Sequence, residues 1–138
     1  GLGVDVDGWQ VKANYEVLGG DGVYGFATPL ATLHAFNGWA DKFLITPADG
    51  IEDLFLTVGK TVYEVALAAQ YHAYSSDHLG YDYGTEWDLS ATKKINKWFS
   101  VLAKYATYRG DSNASVVARN AALTQDVDKF WLQGELTF

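Results

Sequence analysis

The chain has no cysteine, which removes disulfide frameworks and thiolate metal sites but leaves the compartment open, because a chain without thiols tolerates any redox environment. It has no methionine and no charged, apolar leader, so it is expected to begin after processing or partway through a longer polypeptide. No apolar run approaches the roughly 18 residues of a spanning helix. The longest, Val65 to Ala69, has five, and a helical membrane protein is excluded. Basic residues are few, 10 Lys and Arg against 17 Asp and Glu, which leaves no basic footprint for nucleic acid. A membrane β-barrel survives all of these absences, since only every second residue of a spanning strand faces lipid and average hydropathy stays near that of a soluble protein.

The period of hydrophobicity supports strands. From Trp9 to Val17 the odd positions are Trp, Val, Ala, Tyr and Val, and the even positions are Gln, Lys, Asn and Glu. A strand sends successive side chains to opposite faces, so this segment has one apolar and one polar face. Similar alternation runs over 63–74, 83–92, 99–108 and 129–138, and less cleanly over 52–60, where Leu54, Leu56 and Val58 oppose Asp53, Phe55 and Thr57. Six strands are expected, and Gly1 to Asp7 looks like the end of a preceding one, with Asp7 and Gly8 as its turn.

Short and long connections alternate. Gly59 to Thr61 and Ile95 to Lys97 are expected as tight hairpins, whereas 19–51, Ser75 to Tyr81 and Arg109 to Asp126 are long and rich in Gly, Asp, Asn and Ser. In an antiparallel meander this places every short turn at one end and every long loop at the other, the asymmetry of outer-membrane barrels with periplasmic turns and extracellular loops. Aromatics on the apolar faces fall into two belts: Trp9, Tyr63, Phe99 and Phe138 at the short-turn ends, and Tyr15, Tyr71, Tyr83, Tyr105 and Phe130 toward the long-loop ends. Trp87 sits deeper. A soluble β-sandwich is the alternative, with the same apolar faces building a core between two sheets. The barrel predicts instead that Val11, Tyr15, Leu67, Leu89, Val101 and Leu132 point outward.

Residues 15–58, above all TPLATLHAFNGWADKFL at 28–44 followed by Thr46, Pro47, Gly50 and Asp53, resemble the C-terminal region of the alginate-export family of outer-membrane porins. YGTEWDLSATKKINKWFSVLAKYA at 83–106 and the terminal FWLQGELTF at 130–138 resemble that family's closing strands. The resemblance implies an all-β fold, an antiparallel transmembrane β-barrel of which residues 1–138 form the C-terminal portion, in the bacterial outer membrane. Six strands are too few to close such a barrel, and open edges in lipid cost several kcal/mol per unpaired backbone group. Remaining strands of the same polypeptide, or further copies of the chain, are expected to pair them. Phe130, Leu132, Leu136 and Phe138 resemble the C-terminal signal read by the barrel-assembly machinery, with Gly134 interrupting the apolar series. The remaining expected surroundings are the lipid bilayer and lipopolysaccharide.

The polar faces nominate pore-lining residues: Lys12, Asn14, Glu16, Glu64, Gln70, His72, Glu86, Asp88, Lys104, Lys129, Gln133 and Glu135. Neither charge sign dominates, so this portion does not supply the basic constriction that would favour a polyanion; cross-strand pairing explains such charges equally well. The loop 19–51 exceeds the usual length of a structureless connection and carries Phe26, Leu30, Leu33, Phe36, Trp39, Phe43 and Leu44. It is expected to fold into or across the pore mouth with Asn37, Trp39, Asp41 and Lys42 nearest the passage, or else to cap the surface against a neighbouring loop.

Enzymatic chemistry finds no support in motif. His72, Ser90 and Asp88 lack a nucleophile motif or oxyanion hole, Asp77, His78 and Asp82 lack metal-ligand spacing, and no suitable helix follows the glycines 19, 20 and 22. No cofactor is expected. The expectation is therefore a porin-like channel for polar solutes, for which the resemblance to the alginate-export family implies saccharide or exopolysaccharide export, with a non-transporting barrel used for interaction or anchoring as the alternative.

Overall fold

A computed structural model of the chain describes residues 1–27, 37–112 and 118–138. Seven strands form one antiparallel sheet in sequence order. They are β1 (Leu2–Val6), β2 (Trp9–Leu18), β3 (Ile51–Val62), β4 (Val65–Ser75), β5 (Asp82–Lys94), β6 (Phe99–Gly110) and β7 (Val127–Leu136), with a 3₁₀ helix at Ala118–Thr124 before β7. β1 and β7 do not pair with each other, so the sheet of the described residues is open. No second sheet packs on it among these residues. The N-terminal stretch expected as the end of a preceding strand is β1, and Asp7 and Gly8 make its turn with φ of 50° and 75°.

The β3–β4 turn corrects the expectation. It lies at Tyr63 and Glu64, both with positive φ (48° and 63°), and β3 continues through Gly59 to Val62 opposite Val65. The reason is parity. A turn centred on Lys60 would pair even residues of β3 with even residues of β4, setting Leu54 and Leu56 opposite Ala66 and Glu64 of the other face. The observed register pairs Leu56 with Tyr71 and Val58 with Ala69, keeping the apolar faces together. Tyr63 and Glu64 are therefore exposed turn residues, neither a belt aromatic nor a polar-face strand residue.

A second correction concerns Tyr83. The β4–β5 ladder pairs Tyr74 with Gly84 and Ser75 with Asp82, so Tyr83 is the extra residue of a β-bulge. Gly84 takes φ 146°, and a Cβ there would meet the carbonyl oxygen of Arg109. The bulge turns Tyr83 into a buried position where its hydroxyl donates to the Gly50 carbonyl at 2.8 Å. Gly84→Ala is expected to destabilise the chain by about 1–2 kcal/mol through backbone strain, read by denaturant unfolding of the refolded protein.

Everywhere else the faces agree across the sheet. Val4, Val11, Val58, Ala69, Leu89, Tyr105 and Phe130 occupy one cross-strand row. Val11, Tyr15, Leu67, Leu89, Val101 and Leu132, expected to share an outward side, do lie on one face, and nothing described covers it. Large apolar side chains stay exposed there, among them Leu54, Leu67, Trp87, Leu89, Phe130, Leu132 and Leu136. Gly134 leaves a gap in β7 that the Phe99 ring fills, since a Cβ on it would lie 3.1 Å from that ring. Burial concentrates instead at the long-loop end, where Ala40, Phe43, Ile51, Tyr74, Tyr83, Ala106, Tyr108 and Leu123 form the core.

Candidate functional site

The polar face divides into two zones. At the long-loop end, residues 37–50 lie over the strands; nearer the short turns, the face carries Gln10, Lys12, Thr57, Ser90 and Thr92 around a depression of about 670 Å³. Gln70 is held in this region by donating to the Thr57 hydroxyl at 2.9 Å.

The covering segment begins with Asn37 and Gly38, both left-handed (φ 53° and 87°). A Cβ on Gly38 would meet the Tyr74 hydroxyl and the Glu86 carboxylate, so glycine lets the backbone press against the sheet. Two successive backbone amides then point at two alternate carboxylates of β5. Trp39 N–H donates to Asp88 Oδ2 at 3.0 Å and Ala40 N–H to Glu86 Oε1 at 2.6 Å. Both carboxylates are fully buried. Buried polar groups are tolerated only where hydrogen-bonded, and these amides, on a segment far away in sequence, supply the donors.

Around this pair the cluster spreads over three strands. His72 of β4 places Nδ1 at 3.0 and 2.9 Å from the two oxygens of Asp53 on β3. Asn37 donates its amide to Glu16 and to Asp53, 3.4 Å each, and the Tyr74 hydroxyl donates to Glu86 at 3.4 Å. His72 is sandwiched by Phe55 and Tyr74, with ring centroids 4.9 and 5.4 Å away. Its Nε2 and Asp88 Oδ1 are buried and have no hydrogen-bond partner among the described residues, and Nε2 stands 3.9 Å from Asp88 Oδ2.

An aromatic anchor holds the rest of the loop. The Phe43 ring lies 4.5, 5.6 and 6.2 Å from those of Tyr74, Tyr83 and Tyr108. The Tyr108 hydroxyl stands 2.8 Å from the carbonyls of both Tyr83 and Leu123, its single proton serving one at a time. Tyr81 donates its hydroxyl to Asp49 at 2.7 Å. At the margin Lys129 pairs with Asp41 at 2.7 Å, Lys104 stacks its ammonium 4.5 Å from the Trp39 ring, and Lys42 donates to the Ala122 carbonyl at 2.8 Å. Burial lowers the Lys42 ammonium below its ordinary range. Earlier in the same loop, the N–H groups of Tyr24 and Val23 hold the Asp21 carboxyl below its own.

The polar-face candidates thus separate by place. Glu16, His72, Glu86 and Asp88 gather under the loop, Lys104 and Lys129 flank it, and Lys12, Asn14, Gln70, Gln133 and Glu135 lie elsewhere on the same face. Glu64 stands at the turn tip, away from them. Of the loop candidates, Asn37, Trp39 and Asp41 contact polar-face residues, and Lys42 reaches the 3₁₀ helix. Residues 28–36, which hold His34 and most of the 28–44 stretch, lie outside the described residues. Phe130, Leu132 and Leu136 are exposed on the apolar face, and Phe138 follows the last strand, fully exposed. Ser90 sits one polar-face position below Asp88 with no bond to His72, and Asp77 accepts from Gly20 N–H at 3.1 Å. No cluster of metal-ligating side chains occurs among the described residues.

Sequence reasoning missed Asp53, Phe55, Tyr74 and Tyr108. A signal existed: three aromatics on otherwise polar strand faces violate the alternation and mark where another segment must cover the sheet. No family model, curated protein or solved structure matches the chain.

Proposed function

We propose that the chain is a sector of an outer-membrane β-barrel channel for polar solutes, with residues 37–50 folded inward as a constriction at the long-loop end. One observation carries this reading: among the described residues a seven-stranded sheet leaves one face apolar and uncovered, while its other face is polar and is occupied by a loop at one end only. In water the uncovered face would be an unusually large apolar surface; in lipid it is what a barrel wall requires. The resemblance to alginate-export porins supports the same reading. The two free edges would pair with further strands of the same polypeptide or with other copies of the chain, since unpaired backbone groups are not tolerated in the hydrocarbon region. Lipid, lipopolysaccharide at the long-loop end and the barrel-assembly machinery are the matching surroundings.

The open part of the polar face presents hydroxyls and amides with Lys12 and the carboxylates of Asp5 and Asp7 among them, a lining of mixed charge suited to a hydroxyl-rich neutral solute such as a saccharide more than to a polyanion. The aromatic seal around Phe43 favours the second reading, a barrel closed at that end and used for interaction or anchoring. Liposome swelling with sugars of graded size separates the two.

The absence of cysteine makes the membrane reading directly testable. Single cysteines at Leu67, Leu89 and Leu132 are expected to resist a membrane-impermeant maleimide in reconstituted vesicles and to be protected by lipid. Cysteines at Gln70, Ser90 and Gln133 are expected to react through water. Equal labelling of the two sets would remove the lipid-facing assignment.

A further inference from the structure

The charges on the apolar face are segregated. At the long-loop end this face carries Glu52, Asp128 and Arg109; at the short-turn end it carries Lys60 and Lys93 and no carboxylate. The carboxylates of that end lie elsewhere: Glu64 at the turn tip, Asp7 in the first turn, Asp5 and Glu135 on the polar face. Lys60 pairs with Leu67 and Lys93 with Val65, so the two lysines stand two strands apart, about 10 Å laterally, and offset by two residues, about 7 Å along the sheet. A group lying between them is within reach of both long side chains. The Lys60 ammonium is held 4.5 Å from the centre of the exposed Trp9 ring, the pairing of cation and aromatic found where protein meets headgroups.

Beside Lys60 begins a trough of about 660 Å³. Its floor is low because Ala69, Ala91 and Ala103 sit among the larger Leu67, Leu89 and Tyr105. The trough runs from a positively charged rim into an apolar surface and meets no acidic group on the way. That combination of a paired cationic rim and an apolar channel matches one kind of molecule, an amphiphile with an anionic head.

We propose that the short-turn end of the apolar face binds an anionic phospholipid, Lys60 and Lys93 taking the phosphate and the alanine-floored trough receiving an acyl chain. This rests on the membrane reading given above. Two lysines at a membrane surface each strengthen attraction to anionic lipid several-fold, so together they supply roughly tenfold to thirtyfold.

The test is native mass spectrometry of the folded, detergent-solubilised protein with phosphatidylglycerol and phosphatidylcholine, preceded by incorporation into vesicles. The protein is expected to enter vesicles and to retain phosphatidylglycerol in preference. The double variant Lys60→Gln/Lys93→Gln is expected to enter equally well and to lose that preference by roughly tenfold or more. Lys12→Gln/Lys94→Gln, which removes the same charge from the polar face, is expected to keep it. Undiminished preference in the first variant, equal loss in the second, or a lipid-free dimer joined through this face would each overturn the site. Failure of the wild type to enter vesicles would instead overturn the membrane reading beneath it.

Discussion

If the apolar face meets lipid as proposed, Leu89→Arg is expected to lower the unfolding free energy by about 2–4 kcal/mol when the protein is refolded into bilayers, because the substitution then sets a charge at mid-height on a lipid-facing strand. Leu89 lies on β5 in the middle of the apolar face, exposed, with Ala69 and Tyr105 as its cross-strand neighbours. The same substitution on a water-facing sheet would change stability by roughly 0.5 kcal/mol or less, since arginine keeps its hydration and an exposed leucine contributes little. The two environments differ by several-fold in outcome. Denaturant titration in lipid vesicles, with Gln70→Arg on the opposite face as the comparison, reads the difference. A negligible effect at Leu89 would mean that this face meets water.

Glu86→Ala is expected to release the loop over the polar face. The Glu86 carboxylate accepts from the Ala40 amide at 2.6 Å and from the Tyr74 hydroxyl at 3.4 Å, and removing it leaves both donors buried without an acceptor. Each orphaned group costs about 1–3 kcal/mol, more than crowding of Glu86 against Asp88 returns. Hydrogen-exchange protection of the Ala40 amide should fall roughly tenfold to hundredfold. Single-channel conductance should rise as the segment swings away. Glu86→Gln retains an acceptor oxygen and is expected to preserve most of the protection. If both variants leave conductance at the starting level while exchange accelerates, the loop moves without gating anything, and the constriction is elsewhere.

These expectations draw on features of unequal legibility. Apart from Tyr63, Glu64 and Tyr83, the five segments with clean alternation are strands with the predicted faces, because side-chain period is a local property and one apolar face must be kept together. The β3–β4 turn was also legible, though the glycine at 59 pointed the wrong way. Face parity across the hairpin excludes a turn centred on Lys60, and Gly59 is simply a strand glycine opposite Ala68. Tyr83 was not legible. Its parity matches the apolar face, and only the bulge at Gly84 turns it into the core.

The sequence by itself determined an all-β chain with one apolar and one polar face, alternating short and long connections, and an apolar loop that cannot be a solvated linker. Those follow from period, turn chemistry and composition, each confined to a few neighbouring residues. The tertiary structure alone decided what the loop does with its apolar content. It brought the amides of Trp39 and Ala40 to carboxylates almost fifty residues away, at |i−j| of 49 and 46, and set Phe43 among tyrosines from β4, β5 and β6. Such pairings have no local periodicity to betray them, because they are fixed by how a connecting segment folds back over a sheet that must first exist.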